Sequence, residues 1–174
     1  VPGFGFLDEA GDYNGFDIDF CKAVAAAVFG DAEAYEIRPL SSQERFSALQ
    51  SGEIDVLIRN TTWTLTRDTE VGANFVHTTF YDGQGFIVRK ADGINTLEDM
   101  DGGTVCVQTG TTTELNLSDF FRTNGMKYQP VPIETNAEAR TNYLAERCDV
   151  YTTDASGLAA TRAALDKPDR KSVV

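Results

Sequence analysis

The chain has 174 residues, of which 41% are hydrophobic, 10% aromatic and 24% charged. That is globular composition, long enough for one large domain or two small ones. Lys+Arg total 15 against Asp+Glu 27, a formal net charge of −12, which argues against nucleic acid or anionic lipid as the main partner, since both need a basic face. No apolar run is long enough for a membrane span. No basic-then-apolar leader opens the chain, so it reads as cytoplasmic or already processed. One His and three Cys, without a CxxC or HExxH pattern, argue against a zinc site.

Residues 1–15 are rich in turn formers, with Phe4, Phe6 and Tyr13 set among glycines. Aromatics in such a loop are either core plugs or a binding wall. A helix is predicted from Asp17 to Phe29, capped by Asp17 or Asp19 and stopped by Gly30, with Phe20, Val24, Ala27 and Val28 as its apolar stripe. Tyr35–Leu40 reads as a strand. Ser41 and Glu44 form a capping box for a helix to Ser51, closed by Gly52, with Phe46 and Leu49 inward. The apolar run Ile54–Ile58 suggests a buried parallel strand. Phe75–Phe80 and Gly85–Arg89 look like strands around a Tyr81–Gly83 turn, and a short helix falls near Leu97–Met100.

Thr104–Gln108 is a further buried strand, and Thr111 and Glu114 a second capping box opening a helix to Thr123, with Gly125 as its stop. A strand over Lys127–Val131 ends at Pro132; Asn136 caps a helix through Glu146; Val150–Thr153 is a strand; Ser156–Leu165 is the last helix. Alternating strands and helices argue for an α/β fold with parallel sheets. GEIDVLIRNTT at 52–62 and ERCDVYTTDAS at 146–156 share a grammar, which suggests two similar lobes.

Ligands of open α/β sheets bind at the carboxyl ends of strands. Three polar loops fall there: Asn60–Arg67, Thr109–Thr112 and Thr152–Asp154. Arg67 offers a donor fork for a carboxylate, or is a solvated arginine paired with Asp68 or Glu70. Gly110–Thr112 opens a helix, where N–H groups favour an anion, or simply caps it through Thr111. Asp154 accepts an ammonium group, or caps the last helix. Together these groups describe a site for an α-amino acid. GxSxG, P-loop and GxGxxG patterns are absent, and His77 is the sole histidine, which removes the usual His-based triad.

Stretches GFDIDFCKAVAAAVFGD (15–31), ERFSALQSGEIDVLIRNTTWTLTRD (44–68), FYDGQGFIVRK (80–90), CVQTGTTTELNL (106–117) and RCDVYTTDASGLAATR (147–162) carry a resemblance to the periplasmic solute-binding proteins for polar amino acids of ABC importers, nearest the general L-amino-acid-binding branch. The resemblance implies a two-lobed type II periplasmic-binding-protein fold. Each lobe would be a mostly parallel sheet flanked by helices, with lobe 1 over 1–82, lobe 2 over 83–174 and a hinge near 81–85. Arg67 would clamp the ligand α-carboxylate, assisted by Thr62 with Asn60 beside it. Thr112 and Gly110, with Thr111, would give a second carboxylate contact, and Asp154 would take the α-ammonium. Phe4 or Phe6 would line the side-chain pocket, and Trp63 either joins them or packs beneath the loop.

The resemblance implies no catalytic residue, no metal and no cofactor. Its partners would be an L-amino acid and the membrane permease subunits of an importer, with no nucleic acid and no membrane insertion. The implied location is the periplasm, with the signal peptide absent from this chain. Family members begin with a strand before the glycine-aromatic loop and continue past the tail Asp169–Val174, so lobe 1 is expected to be incomplete; exposed core and sheet edge would favour self-association. In such an oxidising compartment, Cys106 and Cys148, at the starts of neighbouring strands, are expected to form a disulfide, the alternative being two buried thiols. Cys21 would be left over. The competing readings are an enzyme on the same fold, such as a small-carboxylate dehydratase using Asp154, Glu114 or Asp82, and a ligand-sensing module, which would need fused signalling segments.

Overall fold

The computed structural model describes residues 1–163 and 165, and the backbone of 170–173. The chain divides into two units, Val1–Thr79 and Phe80–Val174. In the first, β1 (Phe6–Leu7) pairs antiparallel with β2 (Tyr13–Asn14), and α1 spans Phe16–Phe29. The entry into α1 is made by backbone rather than by an acid. Phe16 N donates to Gly3 O at 3.1 Å and Asp17 N to Phe4 O at 2.8 Å. Gly15, at φ 120°, permits this approach, because a Cβ there would lie 2.4 Å from Phe4 O. Asp17 and Asp19 therefore sit in the first turn of α1 and are not its cap. Gly30 ends the helix in the left-handed region.

The apolar stripe expected on α1 is also corrected. Ile18 and Ala25 are buried; of the expected stripe Phe20 is half-buried, whereas Ala27 is exposed and Val24 and Val28 are 37% and 66% exposed. A helix apolar on most sides does not declare its inner face by periodicity. The Ser41–Glu44 box forms reciprocally, Ser41 N donating to Glu44 Oε2 and Glu44 N to Ser41 Oγ. It leads into α2 (Arg45–Gln50). A short α3 (Leu65–Thr69) follows, with the Thr64 side chain accepting from Arg67 N.

Among the described residues, β1 and β2 are the only strands of the first unit, so the parallel sheet expected there is not formed. Tyr35–Leu40, Ile54–Ile58 and Phe75–Phe80 lie outside any ladder, and Val56 and Val76 are 53% and 93% exposed. Apolar composition prepares a stretch to be a strand, but a strand exists only when a neighbouring backbone takes its N–H and C=O groups.

The second unit is a five-stranded sheet in the order β5-β4-β6-β3-β7, built from β3 (Gln84–Arg89), β4 (Thr104–Gln108), β5 (Gln129–Ile133), β6 (Val150–Asp154) and β7 (Arg170–Val173). β4 runs parallel to β5 and β6, and β3 is antiparallel to β6 and β7. Its helices are α4 (Thr112–Thr123), α5 (Asn136–Leu144) and α6 (Ala155–Ala163). Alternate strand residues feed opposite faces. Phe86, Val88, Val105, Val107 and Val150 pack with Leu117 and Phe121 of α4. Ile87, Cys106 and Tyr151 pack with Ala139 and Tyr143 of α5 and Leu158 of α6. Both faces are covered, which is why these strands read as unbroken apolar runs.

Several boundaries shift from those expected. β5 runs two residues later and includes Pro130 and Pro132. It is an edge strand, and Gln129 N donates to Gly103 O, so the alternate proline nitrogens face away from β4 and no ladder bond is lost. Thr135, not Asn136, caps α5, its side chain accepting from Glu138 N. Asn136 Oδ1 instead accepts from the Tyr151 hydroxyl at 2.8 Å. α6 begins one residue early, at Ala155; residue 164, within the helix expected to reach Leu165, lies outside the described residues, as do Asp169 and Val174 of the tail. No described helix is long and apolar enough to cross a membrane.

Candidate functional site

In the first unit the decisive side chain is Arg67. It is 8% exposed, although α3 as a whole is a surface helix of five residues. Its Nη1 donates to Thr62 O at 2.9 Å, and its Cζ lies 5.2 Å from the centre of the Phe46 ring. Among the described residues no carboxylate pairs with it, so the expected alternative of a partner in Asp68 or Glu70 is not realised. Burial lowers its pKa from the ordinary arginine value, yet arginine stays charged. The result is a buried cation, most of whose donor fork is not engaged by the described residues.

The loop around Arg67 is held by two arginines that no sequence motif marks. Arg45, 1% exposed, donates from Nη1 to Asn60 O at 3.4 Å and to Thr61 Oγ1 at 3.1 Å. Arg59 donates to Leu40 O at 2.6 Å, to Ser42 Oγ at 3.3 Å and to Asn60 Oδ1 at 3.3 Å. Arg45 breaks the apolar pattern of its helix, and nothing local distinguishes it from a solvated arginine. Asn60 thus serves the loop's own framework, and Thr62 contributes its carbonyl to Arg67. Trp63 stacks on Phe75 at 5.5 Å with rings 8° apart and is 48% exposed. Phe4 packs edge-on against Phe16 at 5.9 Å, while Phe6 is 38% exposed in β1. An open cavity of about 610 Å³ in this unit is lined by Asp8, Asp12, Lys22, Glu33 and Glu36 among others, and by none of these site candidates.

In the second unit, β4 and β6 are parallel neighbours, with Val107 opposite Thr152. Their carboxyl ends therefore lie side by side. β3 starts at that same end, with Gln84 opposite Asp154. This brings Thr109–Thr112 and Asp154 to one rim of the sheet. Gly110, at φ 72°, turns the chain into α4. Its N–H donates to Glu114 Oε2 at 2.9 Å, and Glu114 N donates to Thr111 Oγ1 at 3.2 Å. The Thr111 hydroxyl itself donates to Gln108 O at 2.6 Å. Gly110 and Thr111 therefore perform the capping that their pattern announces, and Thr112 is the first helical residue. Asp154 ends β6, half-buried, directly before α6.

Gln84, which no sequence motif marks, ties this rim together. Its Nε2 donates to Thr113 O at 3.1 Å and to Thr152 Oγ1 at 2.9 Å, linking the first turn of α4 to β6. Asp82 accepts from Ser156 N and from the Ser156 hydroxyl at the start of α6. Asp82 and Glu114, the acids weighed for acid–base chemistry beside Asp154, are thus both committed to helix starts. No group of His, Cys, Asp and Glu among the described residues could hold a metal ion.

The sequence model of the bacterial extracellular solute-binding proteins, family 3, matches residues 1–169. The chain belongs to this family. It is 54% identical over 174 residues to the general L-amino acid-binding periplasmic protein AapJ of Rhizobium johnstonii, covering 100% of this chain and 51% of AapJ. It is 55% identical over 165 residues to the glutamate/glutamine/aspartate/asparagine-binding protein BztA of Rhodobacter capsulatus, covering 95% and 49%. The chain therefore spans about half the length of these curated relatives. Among solved structures, a periplasmic binding protein from Brucella ovis with glutathione bound is 50% identical with a TM-score of 0.91, covering 99% of this chain and 55% of that one. The family 3 chain has the type II periplasmic-binding-protein fold, of which it covers part. AapJ and BztA are both named as amino-acid-binding proteins.

Proposed function

We propose that this family 3 chain carries the amino-acid-recognition part of an extracytoplasmic binding protein that delivers L-amino acids to an ABC transporter. The observation that carries the reading is Arg67: a buried guanidinium with no carboxylate partner among the described residues. Burying an unpaired charge is costly, and a ligand α-carboxylate is the group that offsets it bidentately. In this reading Asp154 receives the α-ammonium, and Thr112 with Gly110 supplies a second carboxylate contact from the start of α4. Thr62 and Asn60 hold the Arg67 loop, and Phe4, Phe6 and Trp63 face the ligand side chain. The names of AapJ and BztA, which span acidic, amide and general amino acids, favour breadth of specificity, since contacts to the α-amino and α-carboxylate groups are common to all of them. The chain acts by capture and release, without turnover; the engagement of Asp82 and Glu114 in helix starts supports this over acid–base chemistry.

The test is a thermal melt of the chain alone and with each common L-amino acid at millimolar concentration. A ligand that binds only the folded state at 100 times its dissociation constant adds about 2.7 kcal/mol. Several amino acids should raise the midpoint. A cooperative transition that none of them moves overturns the reading.

A further inference from the structure

The ring of Phe46 is the common neighbour of two guanidinium groups. The Cζ atoms of Arg45 and of Arg67 each lie 5.2 Å from its centre. The helical pattern of α2 marks Phe46 as a core residue, yet it is only half-buried, while the two arginines beside it are 1% and 8% exposed. Among the described residues the Arg67 guanidinium makes a single hydrogen bond, Nη1 to Thr62 O. One bond leaves a planar fork free to swing about its own side-chain axis. A ring face within about 6 Å of a cation attracts it, most strongly where water is excluded. Arg45 links the two constraints, because it meets the same ring and also donates to Asn60 O and Thr61 Oγ1, the residues directly before the carbonyl that Arg67 uses.

We infer that Phe46 is a positioning residue for Arg67: its ring face, steadied by Arg45, sets the plane of the guanidinium and so the direction in which the unused N–H donors are presented. The consequence for amino-acid binding rests on the reading of Arg67 given above. The orientation itself does not.

The experiment has a ligand-free arm and a binding arm, both on the full chain. In the first, the Arg67 side-chain NMR resonances of the parent chain should be displaced upfield by the ring current. Phe46→Leu, which keeps an apolar side chain without the ring, should return them to free-arginine positions, and Phe46→Tyr should keep the displacement. Parent resonances already at free-arginine positions, or resonances unmoved by Phe46→Leu, overturn the inference whatever happens to binding. In the second arm, L-glutamate titrated by calorimetry should bind Phe46→Leu about three- to thirtyfold more weakly, the range expected of a partly desolvated cation–π contact. Phe46→Tyr should restore the affinity, and the ligand-free melting midpoint should stay near the parent value. Displaced resonances in a chain that binds no amino acid would sink the functional reading and leave the positioning intact. Weakened binding with unmoved resonances would sink the positioning alone.

Discussion

Cys106 in β4 is bonded to Cys148, two residues before β6, with their Cα atoms 5.7 Å apart. Both side chains are fully buried, and the bond ties together two strands that are also parallel neighbours in the sheet. The bridge spans a sequence separation of 42, so the chain-entropy argument assigns it roughly 3–4 kcal/mol. The Cys106→Ala/Cys148→Ala double variant should lower the unfolding free energy of the second unit, measured in urea, by that order. Equal denaturation curves with and without reductant would contradict this.

Arg67→Ala should weaken amino-acid binding by at least about tenfold, because charge-assisted hydrogen bonds are worth roughly 1.5–3 kcal/mol. Arg67→Lys should recover only part of the loss, since an ammonium lacks the planar fork. Calorimetric titration with L-glutamate and L-glutamine checks both. An Arg67→Ala chain that binds within a few-fold of the parent would remove Arg67 from the site.

Removing the Gln84 amide cuts two hydrogen bonds that join α4 to β6. Thr152 Oγ1 still donates to Gly85 O at 2.8 Å, so the buried hydroxyl is not orphaned. Gln84→Ala should therefore cost only about 1–2 kcal/mol in chemical denaturation. It should also loosen the rim carrying Thr112 and Asp154, visible as faster amide exchange in the first turn of α4. Unchanged exchange there would show that the turn is held by its own capping box alone.

Asp149 accepts from Thr104 N at 2.9 Å and Thr104 Oγ1 at 2.6 Å, and pairs with Arg89 at 3.5 Å. Burial pushes its pKa up, but the Thr104 hydrogen bonds and the Arg89 charge outweigh that and hold it below the ordinary value. A carboxylate whose folded pKa is depressed contributes stability above its unfolded pKa of about 3.9 and loses it as pH falls through the folded value. The stability gap between the parent and Asp149→Asn should be constant above about pH 5 and close progressively below about pH 4. Half of this side chain is exposed, so the gap is screened and should shrink in high salt. A gap independent of pH down to acid unfolding would assign the effect of the substitution to packing.

What could be read from the residues alone was whatever is settled within one turn of chain or one sheet period. Ser41 and Glu44 close their box as their spacing requires, Thr111 caps α4 while Glu114 reaches back one residue further to Gly110 N, and Gly30 stops α1, because each depends on a handful of adjacent backbone groups. TVCVQ and VYTTD became buried strands because their neighbours also lie in this unit. Tyr35–Leu40 and Ile54–Ile58 carry comparable apolar character and form no ladder, since pairing is a property of two segments and not of one. The site divides in the same way. Motif and resemblance point to Arg67 and Asp154, but only the tertiary structure buries Arg67 without a counter-ion among the described residues, sets Phe46 against it and places Gln84 across the rim. Burial, ring contact and hydrogen bonding between residues far apart in sequence are decided by what the fold brings within a few ångströms, and no local pattern encodes that distance.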